Sequence, residues 1–319
     1  MTASLPPAVQ DVFARFITTE LTTIDHRGQP ITWPVTPYYR AGAACIDVTT
    51  GLGYPKKAND ARANPQVALL FSDPTGSGLS RPPMVLVQGC AEVDDHDLEA
   101  NAERYARESV EKLPAIRSLL PPRFLRGALA WYLDRIYIHV RPERVYVWPQ
   151  GDLDAEPELY DAHMEEVRSG HSEEPERFHA PPVGGQSIWH RRLAELGEPH
   201  GTAVLSVVSP DGFPFAVRVP VRLDAAARWI EIGAAPAGLP LAPGRACLTA
   251  HRHDEHFRWQ ENFQVRGDLI AHDGGWILVP RKLVGGFELP RSRVRLLRAN
   301  AAKARRYHRV AKRELARRH

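Results

Sequence analysis

A chain of 319 residues suggests about two domains at roughly 100–200 residues each, and 43% apolar with 25% charged residues excludes a mostly disordered polymer. No apolar run reaches the ~18 residues of a membrane-spanning helix, and the opening MTASLPPAVQDVFARF lacks the basic start and apolar core of a secretory signal. Net charge is only +3, and Cys45, Cys90 and Cys247 give neither a disulfide framework nor a CxxC pair, so a reducing, cytoplasmic setting is expected.

In chain order, Leu21–Tyr39 (LTTIDHRGQPITWPVTPYY) holds two β-rich runs around a polar turn at Asp25–Gln29, which predicts a hairpin. Strand-like NPQVALLF (Asn64–Phe71) and VLVQGCAEV (Val85–Val93) follow. Asp97–Ser109 and Pro114–Asp134 carry helical patterning broken at Pro114 and Pro121–Pro122, and Asp94, Asp95 and Asp97 read as an N-cap cluster. Arg135–Trp148 (RIYIHVRPERVYVW) alternates as a closing strand. Residues 149–186 carry ten acidic side chains against two arginines, with five prolines, and read as a linker with one short helix. Residues 291–319 carry twelve Lys/Arg and one Glu. Val294, Leu297, Ala301, Ala304, Ala311 and Leu315 recur there at helical spacing, which predicts a basic amphipathic helix. Such a helix docks on its own protein or meets nucleic acid, an anionic membrane or a partner, and the sequence leaves these open.

Self-comparison finds a repeat. Leu205–Leu223 (LSVVSPDGFPFAVRVPVRL) aligns without a gap on Leu21–Tyr39 at an offset of 184, placing Gly28 on Gly212, Pro30 on Pro214 and Val35 on Val219. At an offset of 178, Asn64–Phe71 meets Ala242–Thr249, Val85–Val93 meets Phe263–Ala271, and Gly89 falls on Gly267. The shared order of hairpin, strand, loop and strand predicts tandem β domains. The divisions expected are residues 1–148, an acidic linker 149–186, a second, degenerate barrel 187–290 and the helix 291–319.

One cluster carries chemistry. Lys56 and Lys57 precede the helical KANDARAN, with Asn59 and Arg62 further on, and an anion needs cations and free N–H groups at close range. The same residues are also compatible with an ordinary solvated helix start.

From Phe16 to Trp148 the chain resembles the flavin-reductase-like split β-barrel proteins, the pyridoxamine 5′-phosphate oxidase-like family. The marks are the opening hairpin, the strand Trp33–Tyr39, TTGLGYPKKANDARANPQVALLF (Thr49–Phe71), the strand ending at Gly89 and RPERVYVW (Arg141–Trp148). The resemblance implies a mainly β fold with helices (α+β), two tandem split barrels forming a pseudo-dimer. It implies a flavin-type cofactor, coenzyme F420 or FMN, with haem as the alternative. Lys56, Lys57, Asn59 and Arg62 would grip its phosphate, and Pro34, Val35, Thr36, Pro37, Tyr38, Thr49 and Thr50 would contact its ring or ribityl part. The Ala-, Arg- and Pro-rich composition of a high-GC source leans the choice to F420.

The second copy places Ala234, Ala235 and Pro240 where Lys56, Lys57 and Arg62 stand, so one site is expected, with a wall from Thr249–Phe263 including Phe257 and Trp259. Met84 and Val85 replace a glutamine of authentic pyridoxamine phosphate oxidases, which argues against that substrate. The expectation is an oxidoreductase moving hydride to or from a small organic substrate, or else a non-catalytic haem, bilin or flavin binder, as a monomeric pseudo-dimer or a homodimer. No general acid is nominated, although Tyr38 and Tyr39 are ring-side candidates. No metal site is assigned. His251, His253 and His256 match no standard zinc spacing and read as a polar loop near the pocket.

Overall fold

The first hairpin sets the pattern for the rest. In the computed structural model, which describes residues 5–114, 130–161, 200–233, 241–285, 293–317 and a few single positions between 181 and 193, β1 (Thr19–Ile24) pairs antiparallel with β2 (Pro30–Val35). Asp25 and Gly28 make the turn: the Gly28 N–H donates to the Asp25 carbonyl, the Asp25 N–H to the Gln29 carbonyl, and Gly28 takes φ +73°, a backbone state that glycine adopts without strain.

β3 (Ile46–Gly51), helix α2 (Lys56–Ala63), β4 (Gln66–Phe71) and β5 (Met84–Asp94) follow, then α3 (Leu98–Lys112), α4 (Ala130–Leu133) and β6 (Arg135–Trp148). The strands join in the order β2-β1-β4-β5-β6-β3. A single bridge between Tyr38, just past β2, and Asp47 of β3 links the two ends. β4 is buried on both sides: Val67, Leu69 and Phe71 face one core with Phe13 and Phe16 of the N-terminal segment, where α1 (Pro7–Arg15) packs, while Ala68 and Leu70 face a second core. Continuous apolar sequence, without alternation, is what a strand covered on both faces requires.

The second half repeats this path. β8 (Thr202–Val208), β9 (Pro214–Asp224), β10 (Trp229–Ile232), β11 (Gly244–His253), β12 (Gln260–His272) and β13 (Gly275–Gly285) form a closed barrel in the order β10-β13-β12-β11-β8-β9. Element for element this is the order of the first sheet. The turn hydrogen bonds recur too: Gly212 N–H to Ser209 O and Ser209 N–H to Phe213 O, with Gly212 at φ +87°. Gly89 and Gly267 sit at the same irregularity, where the register slips on the next strand. A Cβ at Gly89 would stand 2.1 Å from the Arg141 carbonyl oxygen, and one at Gly267 would stand 2.2 Å from that of Val279. Each strand therefore needs glycine at its bulge.

The two halves pack through their hairpins. The Gln29 amide donates to the Ala246 carbonyl of β11, while the Gly212 turn lies against Gln66 of β4. Ala68, Leu70, Leu86 and Trp148 of the first sheet share one core with Leu205, Phe215, Val217 and Leu248 of the barrel.

Two helical expectations, Asp97–Ser109 and 291–319, land within a few residues. Asp97 caps α3 by accepting from the Ala100 N–H at 2.9 Å, and β6 spans Arg135–Trp148 as read from its alternation. The acidic stretch differs from a plain linker at its start: Glu158–Asp161 forms β7, which pairs with β6. There Leu159 and Tyr160 supply strand formers between the prolines. The helix expected in that stretch, the central part of Pro114–Asp134, and Ala234, Ala235 and Pro240 lie outside the described residues. The C-terminal helix α5 (Arg293–Ala316) packs Ala311 and Leu315 against the first core. Among the described residues, no helix is long and apolar enough to cross a membrane.

Candidate functional site

A cavity of about 440 Å³ opens between the two halves. Its floor is the end of β2 and the chain after it: Trp33, Pro34, Val35, Thr36 and Tyr38. Thr49 of β3, Lys56 and Lys57 of α2, and Tyr105 and Ser109 of α3 continue the lining. The second half adds Phe257, Gln260, Asn262, Arg266 and Val284, and α5 adds Arg306 and Tyr307. The side-chain period of two explains Thr49: it faces the cavity while its neighbour Thr50 is fully buried and donates to the Tyr54 carbonyl at 2.9 Å.

The two lysines have different surroundings. Lys56 is compensated, 2.9 Å from Asp60 one helical turn on and 3.9 Å from Asp25. Lys57 has no carboxylate partner at ion-pair distance among the described residues and lies 5.5 Å from the centre of the Tyr54 ring. Burial, and then the Arg135 charge, push its ammonium down to about 8.

Arg135, the first residue of β6, has the same isolation in a stronger form. It is 4% exposed, and its guanidinium lies 3.9 Å from the centre of the Tyr105 ring and 4.2 Å from that of Tyr132. Nη1 donates to the Tyr54 hydroxyl at 3.2 Å, and Nε is buried with no hydrogen-bond acceptor. No described carboxylate pairs with it. Burial works against this charge, while Tyr105, Tyr54, Tyr132 and Tyr38 work for it, and the group is held above its ordinary range.

Among the described residues the lining therefore collects five cations, Lys56, Lys57, Arg135, Arg266 and Arg306, and no Asp or Glu. An uncompensated buried charge is costly unless a ligand completes it. A neighbouring groove of about 600 Å³ shares Tyr38 but mixes Arg15, Arg40, Arg107 and Lys112 with Asp47, Glu108 and Glu111, and its Arg104 is paired to both Asp47 and Glu108. That groove carries three carboxylates beside its cations, whereas the described lining of the 440 Å³ cavity carries none, which makes the cavity the stronger anion site.

Of the residues singled out from sequence, Pro34, Val35, Thr36, Tyr38, Thr49, Lys56 and Lys57 converge on this cavity, and Phe257 closes it from the other half. Pro37 and Thr50 are buried behind the lining. Asn59 and Arg62 lie elsewhere: Arg62 donates to Asn59 at 2.7 Å and pairs with Asp95. Tyr39 packs edge-on against Phe13, Trp259 lies beside Arg252, and Met84 and Val85 belong to the two cores. The Tyr38 hydroxyl is tied to Ser109 at 2.9 Å, and burial raises its pKa well above the usual phenol range.

His251 and His253 are buried between the halves. The first lies 2.5 Å from Glu20 and 2.8 Å from Arg218, and the second bonds Thr18 at 3.1 Å. Among the described residues no group of three His, Cys, Asp or Glu could hold a metal. Arg135, Tyr54, Tyr105, Tyr132, Arg266 and the α5 pair were not singled out by sequence, because each reaches the cavity only through tertiary structure.

No family model and no curated protein matches the chain. Solved structures do. An F420 reductase is 20% identical over 44% of this chain and 98% of its own, with a TM-score of 0.34. A putative pyridoxamine 5′-phosphate oxidase from Listeria innocua is 15% identical over 44% and 94%, with a TM-score of 0.31. HutZ, a haem storage protein from Vibrio cholerae, is 16% identical over 46% and 96%, with a TM-score of 0.33.

Proposed function

We propose that the cavity binds a phosphate-bearing cofactor of the flavin type, F420 or FMN, and that the protein is an oxidoreductase acting on a small organic substrate. The observation that carries this is the cation set without a carboxylate, centred on a buried arginine whose Nε has no acceptor. A phosphate supplies both the charge and the acceptor oxygens that Lys57 and Arg135 lack. The volume lies in the ordinary range for small-ligand sites, roughly 300–1,000 Å³. No His, Cys or Met lines it among the described residues, and the hydroxyls of Tyr38, Tyr54, Tyr105 and Tyr132 are engaged with Ser109, Arg135 and each other, so a flavin-type ring suits the lining better than a haem iron.

In this reading Lys57 and Arg135 hold the phosphate. The backbone and side chains of Pro34–Tyr38, with Thr49, lie along the ring system, and Phe257 covers it from the second half. A bound flavin-type group supplies hydride transfer; the protein binds, orients and keeps water out. The matching strand orders, turns and bulge glycines support a duplicated chain that builds within itself the interface other proteins build between two copies. The grip comes from the first half and the wall from the second, so one site results.

The test is a visible absorption spectrum of the purified protein, followed by titration with FMN and with F420. Micromolar or tighter binding of either, weakened at least tenfold in Lys57→Ala and in Arg135→Gln, is the expected result. Absence of binding by both would overturn the cofactor reading.

A further inference from the structure

We infer that the basic C-terminal helix is a strap that closes the cavity, with Arg306 meeting the anionic end of the bound ligand and Tyr307 latching the helix in place. This rests on the cavity being a ligand site, and it assigns to that site the segment read from sequence as a basic amphipathic helix whose partner was left open.

Three contacts converge on Tyr54. Lys57 lies over its ring, Arg135 donates to its hydroxyl, and Tyr307 of α5 meets its ring at 5.6 Å between centroids in an edge-on arrangement. Tyr307 also stacks on Trp131 at 5.2 Å and 22°. The helix is therefore seated on the ring that also touches the two uncompensated cations. The neighbouring Arg306 lines the cavity yet is exposed, with no recorded partner among the described residues.

The backbone beneath is shaped for this approach. A Cβ at Gly53 would stand 2.8 Å from the Tyr307 Cβ and 3.0 Å from the Trp131 carbonyl oxygen, so only glycine lets the helix settle. A Cβ at Gly51 would stand 2.8 Å from the Tyr54 ring. Both glycines lie in the short run that leads from β3 into Lys57. Beyond the latch the helix holds itself with Ala311 and Leu315, and the surface it shows to solvent is basic. An anion held at Lys57 and Arg135 would give the exposed Arg306 a partner, so occupancy favours the closed helix.

The test uses the full chain with FMN and with riboflavin, which lacks the phosphate. Hydrogen exchange across 305–316 is expected to slow at least tenfold when FMN is added and to change little with riboflavin. Arg306→Ala should weaken FMN about tenfold and leave riboflavin affinity unchanged. Tyr307→Ala and Gly53→Ala should speed FMN release at least tenfold, and Tyr307→Phe should restore it. If FMN binds in a Lys57-dependent way while exchange in α5 is unchanged and all three variants bind as the parent does, the strap is wrong and the cofactor site stands. If the parent binds none of FMN, riboflavin and F420, both readings fall.

Discussion

The hydroxyl oxygens of Thr22 and Ser206, which occupy equivalent places 184 residues apart, lie 3.5 Å from each other at the centre of the junction between the halves. A contact between a position and its own counterpart marks the axis of an isologous interface. Thr32 completes the node, with its hydroxyl 2.6 Å from Ser206 and 2.9 Å from Thr22. The Thr32 carbonyl also accepts from Thr249 at 3.0 Å and from the Gln264 amide. All of these groups are fully buried, so each must find its partner inside the protein.

Thr32→Val keeps the shape and strands the Ser206 and Thr22 hydroxyls without their common partner. It should lower unfolding stability by about 1–3 kcal/mol, read as a fall in the urea midpoint at constant slope. Replacing all three together, as Thr22→Val, Thr32→Val and Ser206→Ala, should cost less than the sum of the single changes, because no donor is then left unpaired. Strict additivity in that cycle would show that the three hydroxyls do not act as one network.

The bulge glycines allow a symmetric test. At Gly89 and Gly267 an added methyl would fall about 2 Å from a carbonyl oxygen of the adjoining strand, a distance that no side-chain rearrangement relieves because the obstacle is backbone. Gly89→Ala and Gly267→Ala should therefore each destabilise by at least the ~1–3 kcal/mol typical of overpacking. Gly274→Ala, with no neighbouring atom within 4 Å, should cost only its positive-φ strain of about 1 kcal/mol. Thermal midpoints of the three variants, compared side by side, decide it.

Features set by local rules were readable in advance. The hairpins follow from turn chemistry at Asp25–Gln29 and Ser209–Phe213, and β6 from its alternation. Lys57 was readable as a cation at a helix start, but Asn59 and Arg62 were not separable from it. On a helix of 3.6 residues per turn, positions two and five further along point roughly 160° and 140° away. They therefore belong to the face that meets Asp95, while Lys56 finds Asp60 four residues on. Arg135 was hidden for a different reason. As the first residue of a strand next to Asp134, it reads as an exposed boundary charge. It becomes a cavity residue only because Tyr54, Tyr105 and Tyr132 arrive from separate parts of the chain. Nothing periodic in the sequence records that meeting.

Two lysines give the protein an alkaline signature. Lys57 is pushed down to about 8 by burial and then by Arg135, and Lys112 to about 7 by burial, each from an ordinary 10.5. Between the folded and the unfolded values, the unfolded chain holds more protons at these sites, so stability rises with pH there. Without ligand, the urea midpoint should rise from pH 7 to pH 9, and Lys112→Met should flatten the lower part of that rise. Above pH 9 the sign reverses as groups raised on folding begin to titrate in the unfolded chain, Cys90 among them, pushed up to about 12 by burial and by Glu143. FMN affinity should run the other way, falling as pH passes 8, because phosphate binding needs Lys57 charged. In Lys57→Met that fall should disappear, and a variant that keeps it would assign the titration to another group.

Arg135 separates stability from binding. Its guanidinium is buried with no described carboxylate at ion-pair distance and with Nε unmatched, an arrangement that a protein selected for stability alone has no reason to keep. Replacing a buried charge by an apolar side chain of similar length is often neutral or stabilising. Arg135→Met should therefore unfold at the same urea concentration as the parent or at a higher one when no ligand is present. The same variant should bind FMN at least a hundredfold more weakly, and added FMN should no longer raise its thermal midpoint. Arg135→Lys should recover only part of the affinity, since an ammonium lacks the planar face a guanidinium lays on the tyrosine rings and cannot present two parallel donors to one phosphate. The opposite pattern, a large loss of stability without ligand and unchanged FMN affinity, would make Arg135 a structural member of the tyrosine cluster and leave Lys57 as the principal phosphate contact.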